Sequence, residues 1–501
     1  MRDVFASRGW RVLFSIVVGL GALCLLRLWA GSAQRADAHR ADALPGPAHL
    51  GVQPASALAL TNQTYTIYLP YMSRCLNTHI PPFGIQFYGT LSASNGLARA
   101  SDAGARWIRV PLSWAAIEPA NTTPQNYNWS GLDASVTNAR QAGIELILTI
   151  AGQPAWAAVY QQGPVTNTAD LVEFVGALVE RYDGDGTDDA PGSPQVRYWE
   201  LYNEPDNADV HHASLGGWGY WGHNGAGYAA LLQTLHPVIE AANSQANLVF
   251  GGLALDWFEE QGGAFDSHFL DDVLAACRGR ACFDVMNFHY YPPFRGNWDP
   301  YGPAIIGKAN YVRQKLAAYG FTDVPLICTE TSWASAPNTG WGSDELQSRY
   351  AVKAYARGMA AGLDVVVWYE ILDRGDSIEP GLLGGSLQPK PSYWAFQVTT
   401  AMLGQATYQR ALTSAETGHV QIQGYVFQDC GRRLDVVWTE DGTPYDTYDD
   451  PTLPLTVQAQ TLRVVDKSGA EAWYADGGDG VLDGRITITV GGSPLYLEYN
   501  S

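Results

Sequence analysis

The chain has 501 residues, enough for one large barrel domain with additional segments. Its formal charge of −20 at pH 7 argues against nucleic acid and anionic membrane surfaces as partners, so the sequence predicts no nucleic-acid function. Hydrophobic residues make up 46% and aromatics 12%, a composition typical of a large core and of clefts whose rings stack on neutral sugars.

The N-terminus has the pattern of an export signal. Basic residues precede an apolar run from Val12 to Ala30, and small residues follow it. We therefore interpret residues 1–33 as a secretory signal peptide or an N-terminal membrane anchor, and the Ala-, Pro- and Gly-rich residues 34–64 as a flexible linker. The chain is expected to be secreted or held at the cell surface, with membrane contact only through this anchor.

A short alternating strand, Tyr65–Met72, is expected to lead into a domain that spans residues 65–403. From Phe83 onward, strand patterns alternate with helical patterns. The strands are predicted near 83–89, 106–111, 144–151, 196–204, 247–254, 283–289, 324–330 and 364–370. The helices are predicted near 95–104, 130–142, 168–182, 225–244, 265–277, 305–319, 343–361 and 391–403. Eight alternations predict an α/β fold, a (β/α)8 TIM barrel. A doubly wound sheet is the alternative, but no Gly-rich phosphate turn follows the first strand.

The helical period ends near Leu403, and short alternating runs replace it. They are Val420–Phe427, Leu434–Thr439, Leu455–Val465 and Ile486–Val490, separated by Asp- and Gly-rich turns. Residues 404–501 are therefore predicted to form a C-terminal antiparallel β-sandwich. A domain packed on the barrel for stability and a domain that binds carbohydrate are both compatible with this pattern.

The cysteine spacing predicts one local disulfide. Cys277 and Cys282 are separated by four residues in a chain expected to be exported, which favours a bond between them. Cys328 lies within the seventh predicted strand and is expected to be a buried free thiol. Cys75 and Cys430 are a candidate pair between the two domains.

Two strands end in glutamates. Val196–Asp206 reads V-R-Y-W-E-L-Y-N-E-P-D, and period-2 alternation places Glu200 and Glu204 on one face together with Tyr202. A second apolar run from Val324 ends at Glu330. Because the carboxyl ends of barrel strands meet at one mouth, Glu204 and Glu330 are expected to face each other across it. Glu200 lies deeper and is expected to pair with an Arg inside the barrel.

These two motifs carry a resemblance to a known family. W-E-L-Y-N-E-P resembles the acid/base motif of the clan A (β/α)8 retaining glycoside hydrolases, especially families 39 and 5, which are cellulase-like enzymes. The run that ends at Glu330 resembles their strand-seven nucleophile. The resemblance implies a secreted β-glycosidase that hydrolyses O-glycosidic bonds of plant- or microbial-type polysaccharides or oligosaccharides by double displacement. A transglycosylase on the same site and a catalytically silent carbohydrate-binding barrel remain alternatives.

The resemblance also implies supporting residues. Arg109 is expected to hold the Glu330 carboxylate ionised, and Asn203 to bind the sugar 2-hydroxyl. His289 and Tyr291 resemble a His-x-Tyr pair whose Tyr hydroxyl binds the nucleophile. Trp368 matches the floor of the subsite that holds the reacting sugar. A surface Arg and core aromatics are the alternative interpretations of these residues.

Other residues near strand ends are candidates for substrate contacts. Trp114, Trp156 and Trp333 follow predicted strands and are candidates for stacking on sugar rings. Tyr202 stands where Trp is common in the family, and Asp206 follows the acid/base Pro. We expect both positions to touch the subsites.

The sequence predicts no cofactor. The acidic run before the fourth strand, with Asp183, Asp185 and Asp188, is a weak Ca²⁺ candidate, because it lacks the Gly and Glu positions of an EF-hand. A solvated acidic turn is the favoured interpretation. No His and Cys cluster has the spacing of a zinc site.

Overall fold

The structure is a computed structural model that describes residues 80–158, 163–208, 221–442, 450–478 and 480–500. Its first sheet contains eight parallel strands. They are β1 (Phe83–Gln86), β2 (Trp107–Ser113), β3 (Glu145–Ala151), β4 (Tyr198–Leu201), β5 (Asn247–Val249), β6 (Met286–His289), β7 (Leu326–Thr331) and β8 (Val366–Trp368). The sheet order is β5-β4-β3-β2-β1-β8-β7-β6.

The sheet closes into a barrel between β5 and β6. Single parallel bridges join Val249 to Val285 and Leu253 to Phe288, and the Phe250 amide donates to the Val285 carbonyl at 2.9 Å. Most strand residues are buried, as expected for parallel strands covered by side chains inside and by helices outside. The predicted (β/α)8 fold is confirmed, although every strand except β2 is shorter than the run that predicted it.

Helices cover the outside of the barrel. They are α1 (Leu97–Asp102), α2 (Trp114–Ile117), α3 (Ser130–Gln141), α4 (Thr168–Glu180), α5 (Gly225–Ala242), α6 (Phe269–Cys277), α7 (Ile305–Ala318), α8 (Asp344–Ala360) and α9 (Pro391–Leu403). Polar residues fix several helix starts: the Asn167 side chain accepts a hydrogen bond from the Ala169 amide, and Ser343 accepts one from Leu346. The sequence missed only the short α2 among these described helices.

The C-terminal region is a β-sandwich, as predicted. Its strands are β9 (Thr407–Ala411), β10 (Ile422–Asp429), β11 (Arg432–Thr439), β12 (Leu453–Gln458), β13 (Thr461–Asp466), β14 (Glu471–Ala475), β15 (Arg485–Val490) and β16 (Leu495–Asn500), with a short helix, α10 (Ser414–Thr417), between β9 and β10. One antiparallel sheet has the order β14-β13-β16-β11-β10-β9, and β12 pairs with β15 in the other. Leu455 and Ile488 from one sheet pack with Leu462 and Leu497 from the other in a separate small core.

A buried ion pair joins the sandwich to the barrel. Glu440 follows β11 and forms a salt bridge with Arg357 of α8, while Lys353 lies 3.9 Å away. The Trp438 indole donates to Glu440 at 3.0 Å, and Gln423 donates at 2.8 Å. Burial opposes ionisation of Glu440, but Arg357 and Lys353 outweigh it and hold its pKa at about 2.

The cysteine predictions are confirmed where the structure describes them. Cys277 and Cys282 form a disulfide with their Cα atoms 5.9 Å apart. Cys328 is a buried free thiol. Cys430 is disulfide-bonded, but Cys75 lies outside the described residues, so their pairing stays a prediction.

The predicted signal or anchor, the linker and the Tyr65–Met72 strand also lie outside the described residues. Within the described ranges, no helix combines the length and hydropathy needed to cross a bilayer. The domain boundaries stay predictions.

We predict that Glu440→Ala lowers the free energy of unfolding by about 3 kcal/mol or more, because it leaves the Arg357 charge buried without its carboxylate. The contribution of Glu440 should be present above its unfolded pKa, near 4.3, and should disappear as pH falls towards its folded pKa of about 2. Urea denaturation of both proteins from pH 7 to pH 2.5 measures this difference.

Glu416→Ala is the matched control. Glu416 also pairs with an arginine, Arg410 at 2.7 Å, but its side chain is 39% exposed. In the Glu416→Ala variant, water can solvate the Arg410 guanidinium in place of the lost carboxylate. This variant should therefore lose far less stability than Glu440→Ala. Equal losses in the two variants would show that burial of the Glu440 pair is not what stabilises the domain contact.

Candidate active site

The end of β4 carries the first glutamate in a turn with unusual backbone geometry. Tyr202 and Glu204 have φ values of 64° and 47°, in the left-handed region that non-Gly residues rarely adopt. The Glu204 amide donates to the Gly252 carbonyl at 2.9 Å, which ties this turn to the segment after β5. The Glu204 side chain is mostly buried and faces the site.

This backbone geometry overturns one expectation from strand alternation. Tyr202 is buried against Trp221 and Tyr228, and Tyr228 belongs to the outer helix α5. Glu200, by contrast, contacts Arg109 inside the barrel. Tyr202 therefore does not share the face of the two glutamates. The prediction that it touches a subsite is wrong, because the left-handed turn directs its ring into the packing of α5.

Glu330 reaches the same region from the end of β7. The register between β6 and β7 pairs Phe288 with Cys328 but His289 with Glu330, so Thr329 is an extra residue in β7. Such a bulge redirects the side chains that follow it. The Glu330 carboxylate accepts hydrogen bonds from Arg109 Nη1 and from the Tyr291 hydroxyl, both at 2.7 Å.

The two carboxyl groups lie close to each other and to a histidine. One carboxylate oxygen of Glu204, one of Glu330 and one ring nitrogen of His289 lie within 4.8 Å of one another. His289 Nδ1 is 3.0 Å from Glu204 Oε1 and 3.6 Å from Glu330 Oε2, and its Nε2 is 3.2 Å from Thr329 Oγ1. The predicted approach of the residues at strand ends four and seven is therefore found in the structure.

Arg109 of β2 is the centre of the hydrogen-bond network. Its guanidinium donates to both carboxylate oxygens of Glu200, at 2.6 and 2.9 Å, and to Glu330 at 2.7 Å. It also donates to the side-chain oxygens of Asn203, at 2.6 Å, and Gln86, at 3.2 Å. The expectation that Glu200 pairs with an Arg inside the barrel is met.

The electrostatic settings of the two glutamates differ. Burial raises the pKa of both carboxyl groups. At Glu330, Arg109 and the Tyr291 hydroxyl oppose the effect of burial, whereas the charges of Glu330 and Asp206 raise the pKa of Glu204 further. The pair therefore holds its proton on Glu204 and its charge on Glu330. Burial, with Arg109 and Lys308, lowers the pKa of His289, so its ring is neutral between them.

Three predicted tryptophan contacts are not supported. Trp114 stacks on Phe174 with ring centroids 5.1 Å apart, and neighbouring side chains also enclose Trp333 and Trp368. These three rings are at most 2% exposed, so none offers a face to a ligand in this structure. Trp156 is partly exposed and stays a candidate.

Sequence reasoning missed several residues of the site. Burial raises the pKa of the Tyr88 and Tyr369 hydroxyls, and both lie near enough to Glu330 that its charge adds a smaller upward contribution. Arg374 lies 3.6 Å from the Tyr88 ring centroid and 2.7 Å from the Glu370 carboxylate. Strand alternation would have placed Tyr88 on the same face as Gln86, two residues earlier. No sequence pattern indicated that Tyr369 and Arg374, in the loop after β8, belong to the site.

Two further side chains hold Glu200 in place. Thr149 donates to it at 2.5 Å, and Asn287 donates at 2.8 Å. Asn287 lies two residues before His289 on the inward face of β6, so the same alternation would have found it.

The acidic loop differs from its prediction in one residue. Carboxylate oxygens of Asp183, Asp185 and Asp189 lie within 4.8 Å of one another, so Asp189 takes the place that we assigned to Asp188. The Asp189 carboxylate accepts hydrogen bonds from the amides of Gly184 and Gly186. These contacts are compatible with the favoured solvated turn, and the weaker Ca²⁺ alternative stays untested.

Comparison with known proteins identifies the fold. No protein-family model matches the sequence, and no curated protein matches it. The structure is similar to that of a family 39 glycoside hydrolase from Bacteroides cellulosilyticus WH2, with a TM-score of 0.61 and 21% identity over 84% of this chain and 81% of that chain.

Two other solved structures share the fold. A glucosidase from Croceicoccus marinus has a TM-score of 0.58, and a family 39 β-xylosidase from Caulobacter crescentus has a TM-score of 0.56. Each is 15% identical over 84% of this chain and 96% of its own chain. At these identities the likeness establishes the fold. Two of the three proteins carry the family name to which the sequence motifs point.

We predict that Gly252→Ala disrupts the site. A Cβ at this position would lie 2.1 Å from His289 Nε2 and 2.9 Å from Thr329 Oγ1, so the His289 ring must move. The free energy of unfolding should fall by about 1 to 3 kcal/mol. Thermal denaturation measures the loss, and a crystal structure of the variant should show His289 displaced from Glu204.

Gly176→Ala is the control, because its new Cβ would meet only Val238, at 3.6 Å, on the outside of the barrel. Since Gly176 lies within α4, that change should be neutral or stabilising. A Gly252→Ala variant as stable as Gly176→Ala would contradict the packing described here.

Proposed function

We propose that the chain is a retaining glycoside hydrolase that cleaves β-linked neutral glycans by double displacement. The observation that carries the proposal is the pair of buried carboxyl groups, Glu204 and Glu330, whose oxygens lie within 4.8 Å of each other and whose electrostatic settings differ. Retaining enzymes hold such groups about 5 to 5.5 Å apart, whereas inverting enzymes leave about 6.5 to 9.5 Å for a water molecule.

In the first step, the Glu330 carboxylate attacks the anomeric carbon. The glycosidic bond breaks, and the Glu204 proton goes to the departing oxygen. Arg109 and Tyr291 keep Glu330 ionised and aimed, through their hydrogen bonds at 2.7 Å. The products are a glycosyl ester on Glu330 and the released alcohol.

In the second step, the Glu204 carboxylate removes a proton from water. The water oxygen attacks the anomeric carbon, and the ester bond to Glu330 breaks. Two inversions at one carbon return the original anomeric configuration. Arg109 donates to the side-chain oxygen of Asn203 at 2.6 Å and so fixes that side chain. The side-chain NH₂ group of Asn203 is then left to donate to the sugar 2-hydroxyl.

Charge and the structural neighbours support a neutral glycan as the substrate. Arg109 already pairs with Glu200 and Glu330, and Arg374 pairs with Glu370. With a chain charge of −20, this arrangement favours a neutral glycan over a polyanion. The names of two similar structures, a β-xylosidase and a glucosidase, support neutral sugars.

We also propose that the protein acts outside the cell. The N-terminal apolar run has the pattern of a signal or anchor, and the Cys277–Cys282 disulfide suits an oxidising compartment. Fractionation of the native host tests this proposal. Protein found only in the cytosol would contradict it.

We predict different losses for the two catalytic substitutions. Glu330→Gln should abolish activity on every aryl β-glycoside, because no covalent intermediate forms. Glu204→Ala should retain first-step activity on glycosides with activated leaving groups, which need no proton. Azide should accelerate the second step of Glu204→Ala and yield a β-glycosyl azide. NMR of the first product from the wild-type enzyme should show retention of configuration.

Each alternative gives a distinct result. An inverted first product, or full activity in Glu330→Gln, would refute double displacement. Transfer to an added sugar acceptor in place of water would identify a transglycosylase. Glycan binding without hydrolysis of any substrate would identify a silent binding barrel.

A further inference from the structure

Asp206 lies two residues after Glu204 and is completely buried. The sequence placed it in a substrate subsite, and that prediction is wrong. Its carboxylate instead accepts hydrogen bonds from the amides of Ala254, at 3.1 Å, and Leu255, at 2.7 Å. Asp206 therefore connects the turn that carries Glu204 to the loop after β5.

Both connected segments have strained backbone. Glu204, Leu255 and Trp257 have φ values of 47°, 43° and 37°. Non-Gly residues rarely adopt this region, and such a conformation persists only where its surroundings impose it. Asp206 supplies part of this restraint, since its two oxygens bind consecutive amides of the opposite loop and its carbonyl accepts from the Asp266 amide at 2.9 Å.

Asp206 also contributes to the electrostatic surroundings of Glu204. The other charged or titratable groups that act on Glu204 are Glu330 from β7, Arg109 from β2, Lys308 from α7, His289 from β6 and the Tyr291 hydroxyl after β6. His289 is neutral. The Arg109 charge is already shared between two other carboxylates.

The groups that face Asp206 itself are Lys308, the Tyr228 hydroxyl on α5 and Glu204. Lys308 does not neutralise Asp206 directly. Its ammonium binds Asp256 at 2.9 Å and the Ala254 carbonyl.

We propose that Asp206 is a positioning residue for Glu204: its buried carboxylate fixes the acid/base turn against the loop after β5 and sets a second negative charge near the Glu204 carboxyl. This role rests on the proposed glycosidase function. It adds a residue that touches no substrate but sets the pH range in which the acid works.

The sign of the effect follows from the order of ionisation. Burial raises the pKa of Asp206 to about 7, against the two amides and Lys308, which favour the carboxylate. As pH rises through this range, Asp206 becomes negative and opposes loss of the Glu204 proton. Without that charge, Glu204 should lose its proton at lower pH, and the alkaline limb of kcat/KM should move to lower pH.

The test compares wild type with Asp206→Asn. For an aryl β-glycoside with a poor leaving group, the alkaline limb should shift down by about one pH unit, with about a tenfold loss of kcat/KM above the optimum. With a 2,4-dinitrophenyl glycoside the loss of kcat/KM should be much smaller, because this leaving group departs without a proton. If Asp206 only supported the fold, its loss would lower kcat/KM equally for both substrates at every pH. That result would overturn the proposal.

Asp266→Asn is the matched control. It neutralises a buried carboxylate next to the same backbone, but that carboxylate pairs with His223 and accepts from the His268 amide. This variant should lose stability without moving the alkaline limb. An equal shift in Asp266→Asn would show that any neutralised acid nearby has the same effect, and would overturn the assignment to Asp206.

A direct titration separates this inference from the proposed function. In protein labelled with ¹³C at the Glu carboxyl carbons, and assigned with Glu204→Gln, the Glu204 resonance should titrate at lower pH in Asp206→Asn than in wild type. Asp206→Ser replaces the Asn variant if that one does not fold. Equal titration, or a wild-type Glu204 that titrates near its ordinary pKa, overturns the proposal. Absence of glycosidase activity would refute only the proposed function.

Discussion

The charge of Arg109 is the constraint on which the site depends. A guanidinium that is 1% exposed inside a barrel is unfavourable unless carboxylates replace its lost hydration. Glu200 from β4 and Glu330 from β7 meet this need from two sides. Because the guanidinium is planar and its donors form a rigid fork, it fixes the position of each acceptor around it. The contact that makes the buried charge tolerable thus also positions the residues that perform the chemistry.

This network explains how two glutamates with similar burial take different roles. Burial alone would protonate both. Arg109 and Tyr291 donate to Glu330, whereas Glu204 has a neutral His289 as its closest partner and Asp206 as a further negative neighbour. The asymmetry therefore arises from the partners of each carboxyl group. Two carboxyls at short distance share one proton, and these partners decide which of them holds it.

The barrel and the two glutamates could be predicted from the sequence because both signals are local. Alternating strand and helix periods gave the fold, and the apolar runs that end at Glu204 and Glu330 gave the strand ends. The surroundings of Trp114, Trp368 and Asp206 could not be predicted in this way. Whether each side chain is exposed depends on residues distant in sequence, such as Phe174 against Trp114 and the Leu255 amide against Asp206.

The site lies where the strand period is interrupted, and its chemistry requires the interruption. In a regular strand, consecutive side chains point to opposite faces. Asn203 and Glu204 nevertheless both face the site, since one contacts Arg109 and the other His289. Left-handed backbone at the end of β4 makes this possible.

The bulge in β7 has the same effect on Thr329 and Glu330, which contact the two nitrogens of the His289 ring. Period-2 reasoning can therefore find the end of a strand that carries an active site. It gives the wrong direction for side chains around that end, because the irregular backbone there turns two neighbouring side chains onto one face.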